Sequence, residues 1–288
     1  MKWEISCSNE YWSIRKDDLV RVLGIDSATL VAGMAIVDEQ RVVVEGFLQT
    51  RRTHSERLLP LIDWWMREAE LSLADIDGIA VTNGPGSFTG LRIGMATAKG
   101  LAQATGKAFI GIPTLDALAL NLAGSGVICP ILNARKGEVY TALYISPAVD
   151  RVIRLSNYLA VTPASLIDWL KTGTWPLLES SLEVYPRTDE SIGQRINQWW
   201  PTAKPADQPI TFLGDAVPIY WEEIQQGLGK QANRALPGQN WLRAAQVALL
   251  GLNALQHGQA DDYRLVRPIY VRASEAELKL KGRCGGCN

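Results

Sequence analysis

Gly84-Pro-Gly-Ser-Phe-Thr-Gly90 stands where a short apolar strand gives way to a helix. Glycines at such a junction let backbone N–H groups approach an anion, and Ser87 can cap a helix whose N-terminus carries partial positive charge. On that reading Gly84, Gly86 and Ser87 form a phosphate cradle. The same residues also suit a tight strand-to-helix turn, with glycine supplying positive φ and Ser87 only capping. The loop lacks the Lys-Ser/Thr of a P-loop and does not fit GxGxxG, so spacing alone favours the turn. Nucleophilic catalysis has little support, because Ser87 lies in GSFTG rather than GxSxG and neither His54 nor His257 has a route to it. The histidines are far apart, and no HExxH or HxxxH sets two imidazoles on one helix face to grip a metal. Cys284-Gly-Gly-Cys287 has CxxC spacing but no second pair, and its Gly-rich setting reads as a frayed terminus. Asn133-Ala-Arg-Lys-Gly-Glu-Val-Tyr140 sets Arg135 and Glu138 beside a turn, to pair with each other, meet a ligand or stay solvated.

The elements that must carry these residues follow from pattern. Arg21–Asp26, Ala32–Val37 and Val42–Leu48 read as three strands on short turns, an antiparallel meander. Thr53 and Glu56 have capping-box spacing ahead of Leu58, Leu59, Ile62, Trp65, Met66 and Ala69 at helical intervals. A strand at 78–82, a helix from about Phe88 to Ala104 stopped by Gly106, and a strand at 107–112 come next. Thr114, with Asp116 in the first turn, opens a third helix. The second half restarts the theme with strands at 127–133, 138–145 and 152–155. Thr162 caps a helix reaching about Lys171, and 172–209 is mostly irregular. A strand follows at 211–213, then a helix capped by Asp215 and a long helix over Trp241–His257. Strands then alternating helices, twice over, predict a mixed α/β protein of two similar lobes. The expected division is an extension at 1–20, lobe I at 21–115, lobe II at 116–272 and a tail at 273–288, the long helix packing back on lobe I.

The chain has 288 residues, 47% of them apolar, enough for two cores. A net charge of -1 argues against bulk electrostatic coating of nucleic acid. No apolar run approaches a membrane span and Met1–Asp18 has no apolar block, so the expected compartment is the cytoplasm. In the second helix Gly90, Gly94, Ala98 and Ala102 recur every four residues, flanked by Leu91, Met95 and Leu101. A helix so apolar is covered on more than one side, either within its own lobe or by another subunit.

Asp26-Ser-Ala-Thr29, a carboxylate at a strand end before small hydroxyl residues, resembles the loop that holds magnesium and phosphate in actin-like ATPases and sugar kinases, with Ala28 where those loops carry glycine. Five motifs in order are far more specific: Leu23–Thr29, His54–Pro60, Gly84–Gly94, Ala134–Tyr140 and Pro268–Arg272. Together they closely resemble the bacterial TsaB (YeaZ) family over about residues 21–272. The resemblance implies a two-lobed actin-like ATPase (ASKHA) fold in which Asp26, Ser27, Gly84, Gly86 and Ser87 form degenerate nucleotide loops. It implies a non-catalytic scaffold without cofactor, paired as a heterodimer with a metal-bearing paralogue (TsaD) and joined by an ATPase subunit (TsaE). That assembly puts a threonylcarbamoyl group on N6 of adenosine 37 in tRNAs reading ANN codons, the tRNA meeting this chain only through the complex. The paralogue carries an HxxxH metal motif where this chain reads Ile112–Leu118 without histidine. Asn133 departs from the family, where many members have Asp.

Leu58, Ile62, Trp65, Leu91, Gly94, Met95 and Ala98 are the expected partner contacts, and Gly94→Trp is expected to break the complex while leaving the monomer folded. A homodimer through the same helices stays open. Two other classes stay open beside the scaffold: an independent actin-like ATPase or small-molecule kinase using Asp26 and Ser87, and a peptidase, the weakest of the three.

Overall fold

A computed structural model describes residues 19–49, 57–149, 151–176, 183–185 and 208–272. The Thr53/Glu56 capping box, His54, Cys7, Cys284 and Cys287 lie outside the described residues. Strands β1 (Val22–Asp26), β2 (Val31–Val37) and β3 (Val42–Gln49) form the antiparallel meander. After α1 (Leu58–Glu68), β4 (Gly78–Gly84) pairs parallel with β1. Then α2 (Phe88–Thr105) leads to β5 (Ala108–Pro113), parallel to β4, giving the order β3-β2-β1-β4-β5.

The second lobe repeats this order. Helix α3 (Thr114–Ala119) straddles the expected boundary at 115/116, and β6 (Gly126–Arg135) opens the second sheet. The strand expected at 138–145 is β7 (Glu138–Thr141) and β8 (Tyr144–Ala148), both antiparallel to β6 in one continuous register. Its interruption falls at Ala142 and Leu143, where the Leu143 N–H turns to the Ser156 hydroxyl at 2.9 Å. Outside it run β9 (Arg151–Arg154) and β10 (Leu159–Val161). After α4 (Pro163–Thr172), β11 (Glu183–Tyr185) adds to β9. On the other side of β6, β12 (Ile210–Leu213) pairs parallel, α5 (Val217–Leu228) follows, and β13 (Ala232–Arg234) pairs parallel with β12. The last helix among the described residues is α6 (Ala244–Gln256).

Alternate residues of each strand face opposite ways, and this sorts the apolar residues into layers. Leu23, Ile25, Met34 and Ile36 face α1 and α2, while Val22, Ala35, Val37 and Ala80 face α6. Ile128, Leu132 and Tyr144 join that central cluster, and Cys129, Ile131, Ile145 and Phe212 face α4 and α5. Helices, sheet, helices, sheet, helices is the resulting stack. Between the sheets α6 approaches sheet I closely because two glycines allow it. A Cβ on Gly24 would stand 2.6 Å from the Ala244 carbonyl oxygen, and one on Gly251 2.4 Å from Ala80 Cβ.

Helix ends follow local chemistry with two corrections. Ser87 caps α2 and Thr162 caps α4, and Gly106 and Gly173 end them in the left-handed region. Asp215 does not cap α5. The first residue before that helix is Ala216, and the Asp215 carboxylate instead accepts the Asn133 N–H at 2.8 Å. Helix α6 begins at Ala244 rather than Trp241, where Glu45 from β3 takes its N-terminus. One Glu45 oxygen accepts the Ala245 N–H at 3.1 Å and the other accepts Arg243 Nε at 3.0 Å.

Candidate functional site

The loops read as nucleotide elements meet at the edge of lobe I and close on one another. Asp26 ends β1 fully buried, its Oδ1 accepting the Ala28 N–H at 3.0 Å and the Thr82 hydroxyl at 2.8 Å. Its Oδ2 is buried without a hydrogen-bond partner, and burial pushes the carboxyl up to about 6 against the opposing hydrogen bonds. The Ser27 hydroxyl donates to the Gly90 carbonyl at 2.8 Å, and the Ser87 N–H donates to the Ala28 carbonyl at 2.7 Å. A Cβ on Gly86 would lie 2.4 Å from that Ala28 oxygen, and one on Gly90 2.0 Å from the Ser27 oxygen. These glycines are therefore spent on loop-against-loop packing. The Ala28, Ser87 and Gly90 N–H groups, the donors a phosphate would use, already serve Asp26, Ala28 and Ser87. A nucleotide phosphate with its magnesium does not fit between loops so closed. Of the two sequence readings of Gly84–Gly90, the structural turn is the one this geometry supports.

The expected contact residues need the largest correction. Leu58, Ile62, Leu91, Met95 and Ala98 are all at most 5% exposed and belong to the lobe I interior. Gly94 is buried, and its added Cβ would stand 2.2 Å from Ser27 Oγ. Trp65 is half-buried and packs against Gly46 of β3, whose added Cβ would fall 2.0 Å from the indole nitrogen. Most of their surface is therefore spent on the lobe's own core, with only edges of Ile62, Trp65 and Met95 left toward solvent. Gly94→Trp would thus break the lobe rather than spare it. The periodic stripe marked the core face, as burial within one lobe predicts, and the solvent face is different. It shows Leu59 and Trp64, each 51% exposed, on α1 and the small residues Ala96, Gly100 and Ala104 on α2. Between the helices runs a groove of about 790 Å³ lined by Leu59, Ile62, Met66, Leu71, Leu73 and Leu101.

The stretch Ile112–Leu118, which the resemblance matched to a paired-imidazole motif, forms the junction of β5 and α3. Thr114 and Leu118 are both fully buried there, so the side chains present do not fit a divalent ion. Asp116, expected only as a first-turn acid, is buried and accepts the hydroxyls of Tyr144 at 2.5 Å and Tyr158 at 2.7 Å, with Arg154 Nε 3.7 Å away. Burial and the Asp116 charge hold the Tyr144 hydroxyl well above its ordinary range. The tyrosines sit 28 and 42 residues from Asp116, and no local pattern connects them. At the other lobe's hairpin, Glu138 pairs with Arg272 at 3.0 Å rather than with Arg135. Asn133 accepts the Arg135 N–H at 2.8 Å, so its amide serves the turn.

Comparison with known proteins adds a family. The model described as TsaD: tRNA N6-adenosine threonylcarbamoyltransferase matches residues 48–280. The tRNA threonylcarbamoyladenosine biosynthesis protein TsaB of Bacillus subtilis (strain 168) is 30% identical over 259 residues, 90% of this chain and 96% of that protein. Its namesake from Escherichia coli (strain K12) is 37% identical over 269 residues, 92% and 100% of the respective chains. Two solved structures share the fold. One, described as YeaZ from Pseudomonas aeruginosa, has a TM-score of 0.62 at 20% identity over 87% of this chain and 99% of that one. The other, described as an uncharacterized protein with similarity to peptidase YEAZ from the same organism, has a TM-score of 0.65 at 22% identity over 88% and 100%.

Proposed function

The chain belongs to the TsaB (YeaZ) family, within the wider group described by the TsaD model, and from that premise we propose that it is a non-catalytic subunit in the biosynthesis of threonylcarbamoyladenosine on tRNA. One observation carries the non-catalytic part. Where a catalytic paralogue needs two imidazoles one helical turn apart, this chain has Thr114 and Leu118 packed in its core. The closed Asp26 and Ser87 loops support the same reading and speak against an independent ATPase or kinase. What the chain contributes is a surface. Leu59 and Trp64 offer apolar area, and Ala96, Gly100 and Ala104 let a second helix come close to α2. The partner is the metal-bearing TsaD-type paralogue, joined by a TsaE-type ATPase, and the assembly acts on adenosine 37 of ANN-reading tRNAs.

Reconstitution tests this. The chain, its paralogue, the ATPase subunit, the threonylcarbamoyl-adenylate donor and tRNA are mixed, each omitted in turn, and the modified nucleoside is measured by mass spectrometry. Loss of product on omitting this chain, with none formed by it alone, is expected; product from this chain alone overturns the proposal. Gly100→Trp tests the docking face. An added Cβ there meets nothing within 4 Å, so the monomer folds while the indole holds the partner helix off. Unchanged co-purification with the paralogue would reject that face.

A further inference from the structure

After α6 the chain does not leave the molecule but runs back across lobe I as a strap, residues 259–272. The Asp261 carboxylate accepts the Gly111 N–H at 2.8 Å, and the Ile269 N–H donates to the Asn83 carbonyl at 2.6 Å. Lys99 of α2 donates to the Val266 carbonyl at 2.8 Å, and Arg92 Nε donates to the Tyr270 hydroxyl at 3.2 Å. Between helix and strap lies an open groove of about 520 Å³ whose lining includes Arg92, Met95, Lys99, Val266, Arg267 and Tyr270. Three of its side chains are cationic and none is acidic. Among the described residues no ion pair joins any of the three to a carboxylate. The crowding is felt. Lys99 is held below the ordinary lysine range, first by burial and then by the charge of Arg267, with Asp262 opposing. In a chain of net charge -1 this is a local concentration of positive charge that folding assembles from α2 and a segment some 170 residues later. At its mouth the Phe88 and Tyr270 rings stand 5.3 Å apart, 39% and 41% exposed, with the Arg92 guanidinium 3.8 Å above the Phe88 ring.

Cations in no direct ion pair, beside exposed aromatic rings, are the furniture of a single-stranded nucleic-acid contact: the cations take phosphates, and the rings take bases. We propose that this groove binds the phosphate backbone of RNA directly, Arg92, Lys99 and Arg267 taking phosphates while Tyr270 stacks a base. The inference rests on the role in tRNA modification and deepens it, because it gives this chain its own grip on the substrate. The α1–α2 groove takes Leu101 from α2 and the RNA groove takes Arg92, Met95, Ala96 and Lys99, so a partner helix on the Ala96–Gly100–Ala104 face and an RNA strand would be neighbours that meet at Ala96.

The test is fluorescence anisotropy of labelled tRNA with the full chain across a series of salt concentrations, comparing wild type, Arg267→Glu and the Arg92→Ala/Lys99→Gln double variant. Arg267 is exposed and donates to the Arg264 carbonyl of the strap at 2.8 Å, so thermal unfolding is measured beside the binding to show that the reversal leaves the fold intact. Affinity is expected to fall at least tenfold in both, and the salt slope to shrink by roughly 0.7 for each phosphate no longer neutralised. Lys171→Ala, exposed on α4 at the far side of lobe II, is expected to change neither. Unchanged affinity and slope in both variants overturn the proposal. So does ATP binding that the variants abolish while tRNA binding stays intact, which would make the ligand a free nucleotide. Co-purification with the paralogue is measured on the same variants: normal complexes with unaltered RNA binding remove the groove and leave the scaffold role standing, whereas a wild-type chain that forms no complex removes the scaffold role.

Discussion

The two lobes share a strand order and use it differently. In each, the strand parallel to the lobe's first strand runs into a glycine of the same unusual conformation, Gly84 at φ +115° closing β4 and Gly214 at φ +116° just past β12. In lobe I the room this saves goes to the strap, since a Cβ on Gly84 would stand 2.6 Å from the Ile269 oxygen. In lobe II it goes to the lobe's own first strand, 2.1 Å from the Ile131 oxygen. The hairpins that open the lobes diverge further. The turn after β1 is buried under α2 and tied to the Gly84–Gly90 loop through the Ser27 hydroxyl and the Ala28 carbonyl, with one Asp26 oxygen left without a partner. The turn after β6 stands exposed, with Arg135, Lys136 and Gly137 all at positive φ. One topology thus supports a sealed loop in one half and an open one in the other. Duplicated architecture does not imply duplicated function.

The difference between the lobes is most easily broken at the glycines. Gly94→Trp and Gly214→Ala should each cost on the order of 4 kcal/mol or more, because the new atoms meet Ser27 Oγ in one lobe and backbone in the other. Urea unfolding measures this, and stability near wild type in either would show that its lobe has slack. Gly100→Trp, on the open face of the same helix as Gly94, should leave the unfolding midpoint nearly unchanged.

Next comes the buried carboxyl of the sealed turn. Asp26 keeps its proton in the folded chain to about pH 6, whereas the unfolded chain loses it near 3.8. The native state therefore binds more protons between those values, so stability falls as pH rises from about 4 to about 6 and is flat above. The shift corresponds to about 3 kcal/mol at neutral pH. Asp26→Asn should gain most of that relative to wild type at pH 8 and little of it at pH 4.5. An equal difference at both pH values would mean that the carboxyl is not perturbed.

The smallest effect lies where the lobes are tied together. Glu45→Ala strips the N-terminus of α6 of its acceptor and should cost roughly 1–2 kcal/mol. Protection of the α6 amides in hydrogen exchange should fall with it, and unaltered protection would assign the tie to the packing of Gly24 and Gly251 alone.

Much of this was legible in the residues. Ser87 and Thr162 as caps, Gly106 as a stop, the first meander and the two-sheet mixed α/β architecture all match the structure, since these depend on neighbours in the chain or on a pattern of many residues. The partner surface was not. The stripe Gly90, Gly94, Ala98 and Ala102 gives a helix one smooth side but cannot say what covers it, and the core of the same lobe does. Asp215 fits a helix cap by position, yet the Asn133 N–H from β6 competes for it and wins.

By itself the sequence determined the main helices and strands (though not the short strands β10, β11 and β13), that their order occurs twice, and that Ile112–Leu118 lacks the imidazoles of a metal-binding helix. Periodicity, capping chemistry and residue type are local quantities and survive reading in one dimension. The tertiary structure alone decided that the Asp26 and Ser87 loops seal each other, that Leu59 and Trp64 rather than Leu58 and Ile62 face solvent, and that Arg92, Lys99, Arg267 and Tyr270 share one groove. Each of these depends on distances between residues far apart in the chain, which are fixed only when the layers pack.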